Sequence, residues 1–228
     1  MNNKKTYYSF HDIPFRESYR GNTSQSPGIK FSRTELMHIA IAMAVLTIAF
    51  SFALASTAGS PLRNIGLAIR FIPLSFLAIV TAFFCHELAH KYFGQKYGYW
   101  SEFRMYPQGL LFALFLGVFL GIVFAAPGAV QIYGSPNREQ SGKISAAGPL
   151  MNLVIAGILF PIAFIGTGII STIGFFVAYI NAFLALFNLL PFGPLDGAKI
   201  FHWRKEAWVL LFALSIMLLV SLYLFGSF

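Results

Sequence analysis

Residues 66–93 read GLAIRFIPLSFLAIVTAFFCHELAHKYF and contain both a long apolar run and a cluster of ionisable side chains. The run up to Cys85 is apolar except for Arg70 and two hydroxyl residues, and about 20 apolar residues suffice to cross a bilayer. His86, Glu87 and His90 follow directly. Ionisable groups within a membrane are costly and by default mark function. The stretch therefore predicts a transmembrane helix that carries a functional site.

The composition of the whole chain also indicates a membrane protein. Of its 228 residues, 57% are hydrophobic and 11% are charged, and the mean hydropathy is +0.69. Soluble domains carry about 25% charged residues. We predict an all-α polytopic membrane protein with about five to six transmembrane helices and a small membrane-associated β-strand or re-entrant element. The hydrophobic segments lie at 34–56, 66–93, 109–126, 145–165, 172–192 and 206–226.

Residues 1–33 differ from the rest of the chain because they are polar and aromatic. No small-residue cleavage site follows them, so we expect a polar tail, an uncleaved first span and a membrane-embedded domain at 34–228. The formal net charge is +8, and the basic residues flank the hydrophobic runs. This placement favours orientation against anionic lipid over binding to nucleic acid. The single cysteine, Cys85, excludes an internal disulfide bond.

The distribution of Lys and Arg bears on the arrangement of segment 109–126. If all six segments cross, nine of the sixteen basic residues lie inside; if 109–126 enters and returns, fourteen lie inside. The positive-inside rule favours the second arrangement, which directs the N-terminus and the His86 end of its helix towards the cytoplasm. Gly117 and Gly121 would allow the break that a re-entrant segment needs. Alternatively, they form a small-xxx-small contact between helices.

Two short segments on either side of 109–126 have the character of β-strands. Residues 99–109 (YWSEFRMYPQG) are aromatic and predict an extended strand before Pro107, and residues 128–133 (GAVQIY) alternate like a strand. The second segment is a candidate edge that would hold an unwound peptide by β-augmentation; alternatively, it is a loop that packs on the core. Residues 135–143 (SPNREQSGK) are interpreted as a polar loop.

His86 and His90 form the centre of the chemical hypothesis. Residues four apart lie on one face of a helix, and two neutral imidazoles on that face can bind zinc. Glu87 would lie near the metal without being a ligand and could accept a proton from the attacking water. H-E-x-x-H is the signature of zinc proteases. The alternative is a pair of satisfied core histidines near the membrane interface.

The third ligand has to come from another part of the chain, because a catalytic zinc usually has three protein ligands and one open position. Asp196 is the only acid between residues 140 and 205, and it lies in NLLPFGPLDGAK (188–199). Such an irregular turn survives at membrane depth only where it is buried in protein or faces water. We therefore predict Asp196 as the third ligand; alternatively, it caps the following helix. The less favoured candidates are His38, Cys85, Glu102, Glu139, His202 and Glu206.

Three motifs follow one another on successive predicted spans: HELAH (86–90), AAGPLMN (146–152) and NLLPFGPLDG (188–197). Together they resemble the site-2 protease family of intramembrane zinc metalloproteases over about residues 66–205, the core of the predicted domain. The hydrophobic insert 109–126 departs from the family pattern, in which a short hairpin follows the zinc helix. The resemblance implies one zinc ion bound by His86, His90 and Asp196, Glu87 as general base, and Asn152 and Asn188 in substrate handling.

The resulting functional hypothesis is hydrolysis of peptide bonds within or near the transmembrane segments of other membrane proteins, with zinc-activated water and Glu87 as general base. For Asn152 and Asn188, helix–helix hydrogen bonds are the alternative role. Alternatives for the whole protein are another type of membrane zinc protease, a zinc transporter or a non-proteolytic membrane binding protein. A transporter needs polar residues along a path across the bilayer, and the outer halves of the spans are almost wholly apolar. We expect a multi-pass protein of the cell membrane.

Overall fold

The computed structural model describes residues 28–56, 64–123 and 127–225. Within these ranges the chain is mainly helical. Two π-helical turns interrupt or extend the α-helices, the first at Val80–Phe84 and the second at Leu116–Leu120. The helices are α1 Arg33–Ser56, α2 Ile65–Ile79, α3 Cys85–Lys96, α4 Pro107–Phe115, α5 Arg138–Ile165, α6 Ile169–Asn188, α7 Asp196–Trp203 and α8 Lys205–Phe225, and the strands are β1 Trp100–Met105 and β2 Gly128–Tyr133.

Five helices in the described ranges are long and apolar enough to cross a membrane, whereas the helix of the insert, Pro107–Leu120, is shorter. The protein is therefore an all-α polytopic membrane protein, as predicted. Most of the predicted polar tail, residues 1–27, lies outside the described residues. The candidate spans are Arg33–Ser56, Ile65–Lys96, Arg138–Ile165, Ile169–Asn188 and Lys205–Leu224.

The two predicted strands form an antiparallel pair that frames the hydrophobic insert. Met105 at the end of β1 is paired with Gly128 at the start of β2. The chain thus leaves and rejoins the sheet at the same end of the two strands, as expected for a re-entrant segment. Gly121 has φ +71°, in the left-handed region that favours glycine, and ends the helical part of the insert.

Gly117 has a different role from Gly121, so each of the two alternatives for this glycine pair holds at one position. A Cβ atom at Gly117 would lie 2.5 Å from the carbonyl oxygen of Ala49 in α1. Gly117 therefore allows the second π-helical turn to approach the backbone of α1 closely, as small residues do between membrane helices.

The prediction of a polar loop at 135–143 is wrong for residues 138–143, because α5 already begins at Arg138. Asn137 and Gln140 form a capping box: the Asn137 side chain accepts from the Gln140 N–H, and the Gln140 side chain accepts from the Asn137 N–H. The first turns of α5 are polar, and the apolar part of the helix follows them. Farther along, α5 packs against α3, α6, α7 and α8.

A buried ion pair joins α1, α3 and β1. Lys91 and Glu35 are 1% and 0% exposed, and Lys91 Nζ lies 2.8 Å from Glu35 Oε2. Lys91 Nζ also donates to the Ser101 carbonyl at 2.6 Å, and Glu35 Oε1 accepts the Phe103 N–H at 2.9 Å. Both charges therefore have partners, and the pair holds β1 against α1 and against the part of α3 that follows His90. Lys91 is one of the fourteen basic residues that the re-entrant arrangement places inside, but its charge is neutralised within the protein by Glu35.

Replacing Lys91 with Met is expected to lower the free energy of unfolding by about 3–5 kcal/mol, because the Glu35 carboxylate would remain buried without a counter-charge. Denaturant unfolding in detergent micelles measures the change. The control is Lys143→Met, which breaks the exposed Lys143–Glu139 pair and is expected to have no measurable effect. An equal effect of the two variants would show that the buried pair does not stabilise the fold.

Candidate metal centre

Three potential metal ligands converge from α3 and α7. His86 and His90 lie one turn apart on α3, and their Nε2 atoms are 3.0 Å apart. The Oδ2 atom of Asp196, the first residue of α7, lies 3.3 Å from His86 Nε2 and 3.1 Å from His90 Nε2. These side chains are only 4%, 9% and 12% exposed. The structure thus brings together the three ligands predicted from sequence.

The turn before α7 carries Asp196 back to α3. Gly193 adopts φ +64°, which favours glycine, and the indole N–H of Trp208 in α8 donates to the Leu189 carbonyl at 2.6 Å. Leu195, rather than Asp196, is the N-cap residue of α7, and no side-chain capping bond is formed there. The alternative role of Asp196 as a helix cap is therefore not supported.

Hydrogen bonds on the far side of each imidazole determine which ring nitrogen carries the proton. His90 Nδ1 lies 2.8 Å from the Ile144 carbonyl, which can only accept, so Nδ1 must be the donor. His86 Nδ1 lies 2.7 Å from Asn152 Oδ1, while Asn152 Nδ2 donates to the Ala82 carbonyl at 2.9 Å. In the neutral rings both Nε2 atoms therefore present lone pairs. Such bonds on the second ring nitrogen are typical of metal-binding histidines.

The geometry of the three donor atoms fits a small divalent cation. Two lone-pair nitrogens and a carboxylate oxygen lie 3.0–3.3 Å apart, where they would repel one another without a positive charge between them. A tetrahedral ion with bonds of about 2.0–2.1 Å separates its ligands by about 3.3 Å. Among the described residues, no other His, Cys, Asp or Glu joins this cluster.

Gly148 on α5 leaves open the space in front of the two imidazoles. A Cβ atom at this position would lie 2.3 Å from His90 Nε2 and 2.6 Å from His86 Nε2. The cradle for a metal ion thus exists only because residue 148 has no side chain. No role was assigned from the sequence to this glycine of the motif AAGPLMN (146–152). Its spacing could have indicated one, because Gly148 precedes Asn152 by one helical turn and lies on the same face of the helix.

Glu87 contacts the outer edge of β2. Its Oε2 atom accepts the Val130 N–H at 3.0 Å. Val130 is paired with Phe103 across the sheet, but the Phe103 N–H is directed to Glu35, so the two residues form a non-hydrogen-bonded pair. Alternation along a strand then directs the backbone groups of Gly128, Val130 and Ile132 away from β1. This outer edge of β2 therefore faces α3, the helix that carries the histidines.

The two predicted substrate-handling asparagines occupy different positions. Asn152 is 0% exposed and contacts His86 from behind. Asn188 is half-buried, and its side chain donates to the Leu184 carbonyl of its own helix at 3.1 Å. The only side-chain hydrogen bond of Asn188 in the described part of the chain is this one, and it does not involve the three ligands.

Comparison with known proteins relates this arrangement to a family. The family model "Peptidase family M50" matches residues 165–220. The chain is 37% identical over 184 residues to "Putative zinc metalloprotease MJ0611" of Methanocaldococcus jannaschii, covering 79% of this chain and 90% of the relative. The chain belongs to peptidase family M50. No solved structure matches this M50 peptidase.

Two further relatives of the M50 peptidase have names of the same kind. "Putative zinc metalloprotease YwhC" of Bacillus subtilis is 30% identical over 156 residues, covering 58% of this chain and 69% of the relative. "Zinc metalloprotease MJ0392" of M. jannaschii is 27% identical over 146 residues, covering 60% of this chain and 37% of the relative. The protein is a zinc metalloprotease of the membrane. The two nitrogen donors and one oxygen donor, and the open space in front of them, fit zinc.

Proposed function

We propose that this M50 peptidase hydrolyses peptide bonds within or near the transmembrane segments of other membrane proteins. The observation that supports this function is that His86 and His90, on a helix of membrane-spanning length, converge with Asp196 at 3.0–3.3 Å. A soluble protease would present such a centre to solvent. A centre within a spanning helix is suited to a peptide bond that is itself in the membrane.

The three converging residues are proposed as the zinc ligands and Glu87 as the general base. When bound, zinc supplies Lewis-acid polarisation of a carbonyl and a water that loses its proton near neutral pH. Glu87 accepts a proton from the attacking water and later delivers one to the amine nitrogen of the leaving peptide. The Val130 N–H holds Glu87 Oε2 at 3.0 Å, which restricts where this carboxylate can exchange protons.

Asn152 and Asn188 are proposed to have separate roles. The 2.7 Å contact with His86 Nδ1 and the complete burial of Asn152 support orientation of the imidazole rather than contact with substrate. Asn188 ends α6 just before the turn that leads to Asp196. This position supports a role in binding the substrate backbone as it approaches the third ligand.

Asn188→Leu is then expected to raise KM for the substrate without changing zinc content, and an unchanged KM would refute the role.

The outer edge of β2 is the proposed docking site for an unwound substrate. An intact helix shields its own carbonyls, so the scissile segment has to become extended before attack. The outward-facing backbone groups of Gly128 and Ile132 would pair with such a segment by β-augmentation. Because Glu87 binds the Val130 N–H between them, a peptide added at this edge would lie beside the general base.

Ile132→Pro removes one backbone N–H donor from this edge and is expected to slow cleavage. An unchanged cleavage rate would exclude this edge as the docking site.

The N-terminal tail, residues 1–33, and the metal centre of the membrane-embedded domain, residues 34–228, are both proposed to face the cytoplasm. The charge distribution supports this orientation: without the neutralised Lys91, thirteen of the fifteen remaining basic residues lie on the predicted inner side. The orientation can be checked with a cysteine at Ser135, before α5, in a Cys85→Ser background. A membrane-impermeant maleimide should label it only after intact cells are opened.

The function is tested with a purified fusion protein that contains one transmembrane segment. In detergent or vesicles, the zinc-loaded enzyme is expected to cut inside or within a few residues of that segment, as located by mass spectrometry of the products. Removal of zinc with a chelator should stop cleavage, and added zinc should restore it. Asp196→Ala should lose both zinc and activity, whereas Glu206→Ala, in the first turn of α8, should keep both. Cleavage only in the soluble parts of the fusion would overturn the proposal.

A further inference from the structure

Asn181 is a polar side chain in the middle of α6, and the proposed function does not use it. It is 0% exposed, and the rest of α6 is largely apolar. Polar groups within a membrane protein are retained where they have partners. Asn181 has three, on three different elements: Thr81 in the π-helical turn Val80–Phe84, Asn152 in α5, and the Val177 carbonyl in α6.

The orientation of the Asn181 amide follows from its contact with the backbone. One end of the amide lies 2.9 Å from the Val177 carbonyl, which can only accept, so this end is Nδ2. Nδ2 also lies 3.1 Å from Thr81 Oγ1, and the Thr81 hydroxyl donates to the Leu77 carbonyl at 2.9 Å, which leaves it as an acceptor for Asn181. The other end, Oδ1, therefore faces Asn152.

Two acceptors, the Ala82 carbonyl and Asn181 Oδ1, together fix the orientation of the Asn152 amide. Asn152 Nδ2 donates to the Ala82 carbonyl at 2.9 Å and to Asn181 Oδ1 at 3.3 Å. With both protons of Nδ2 engaged, Asn152 Oδ1 is left to accept from His86 Nδ1 at 2.7 Å. A hydrogen-bond series thus runs from Thr81 through Asn181 and Asn152 to the imidazole of His86.

We propose that Asn181 is a positioning residue for the metal centre: together with the Ala82 carbonyl it holds the amide of Asn152, so that the proton of His86 stays on Nδ1 and its Nε2 lone pair faces the metal. If the Asn152 amide turned over, its Nδ2 would face His86 Nδ1. The neutral ring would then accept at Nδ1 and carry its proton on Nε2, where it blocks a ligand bond. The inference rests on the proposed role of His86 as a zinc ligand.

The test measures zinc affinity and ligand geometry in the full-length protein in detergent. Asn181→Leu removes the acceptor and keeps the branched shape of the side chain. The apparent Kd for zinc is expected to rise about tenfold, the lower end of the effect of losing an outer-shell partner of a ligand. Zinc competition with a chromophoric chelator gives the Kd. The absorption bands of the Co²⁺-loaded variant are expected to shift relative to the wild type. Ser215→Ala, which removes another fully buried polar group, should change neither quantity.

A double-variant comparison separates positioning from a merely structural role. If Asn181 acts through Asn152, then Asn181→Leu should change the zinc Kd by less than about twofold in an Asn152→Ala background. Equal, additive losses in both backgrounds would overturn the inference. So would a lower unfolding temperature of the zinc-free Asn181→Leu variant combined with an unchanged Kd, because this is the result of a simple helix–helix hydrogen bond.

A milder pair of variants decides the matter if Asn181→Leu does not fold. Thr81→Val removes the hydroxyl that accepts from Asn181 and is expected to raise the zinc Kd about threefold, whereas Thr81→Ser keeps the hydroxyl and should leave it unchanged. Equal Kd values for Thr81→Val and Thr81→Ser would overturn the inference. Failure of the proposed function gives a different result: wild-type zinc affinity in His86→Ala, or no zinc binding by the wild type.

Discussion

Replacement of Glu87 with Gln is expected to reduce the rate of peptide-bond hydrolysis by about 10²–10⁴-fold, because the variant has no carboxylate to accept and deliver the proton. The fold should be preserved, since the Gln Oε1 atom can still accept the Val130 N–H that Glu87 Oε2 accepts at 3.0 Å. Glu87 is not among the three converging ligands, so zinc content should also be preserved. Single-turnover cleavage of the transmembrane fusion and metal analysis measure the two quantities on the same preparation.

The matched control for this prediction is Glu206→Gln, the same chemical change in the first turn of α8. It should retain the wild-type rate, which shows that the loss does not follow from removing any acidic side chain. Wild-type cleavage by Glu87→Gln would remove Glu87 from the mechanism. A loss of zinc together with activity would instead indicate that Glu87 supports the metal centre rather than proton transfer.

Gly148→Ala is expected to lower zinc affinity by about tenfold or more and to remove most of the activity. The added methyl group would lie 2.3 Å from His90 Nε2 and 2.6 Å from His86 Nε2, inside the space where the ligand atoms converge. Neither imidazole can retreat freely, because the Ile144 carbonyl and Asn152 hold the opposite nitrogens at 2.8 Å and 2.7 Å. Zinc titration of the metal-free protein measures the effect.

Gly157→Ala provides the control on the same helix, because a Cβ atom at Gly157 meets nothing within 4 Å. Alanine is the better helix former by about 1 kcal/mol, so this variant should bind zinc normally and be at least as stable as the wild type. If Gly148→Ala also binds zinc with wild-type affinity, the cradle in front of the imidazoles does not limit metal binding, and the role assigned to this glycine is wrong.

The amino-acid sequence was sufficient for features that depend on local spacing and on average polarity. The apolar runs predicted the spans because a helix of given length either matches the bilayer or does not. The four-residue spacing of His86 and His90 predicted that both imidazoles share a face. Asp196 was found by elimination, since few acids lie near the membrane-embedded part of the chain. Alternation in GAVQIY predicted β2.

Tertiary structure was needed for every feature that depends on which surfaces meet. The pairing of Met105 with Gly128 brought the two ends of the insert together at one end of the sheet, which its hydrophobicity alone did not reveal. The capping box at Asn137 began α5 inside an apparent loop. Lys91 looks like an orienting surface charge in sequence, and only its contact with Glu35 reveals a buried pair.

The metal centre shows the same division most clearly. Its candidate ligands could be named from the sequence because only a few residue types bind zinc and the chain contains few of them in apolar surroundings. Gly148 and Asn181 act through the absence of a side chain and through a series of hydrogen bonds between helices. Neither property is encoded in the neighbouring residues, because both arise only when α3, α5 and α6 pack at particular distances.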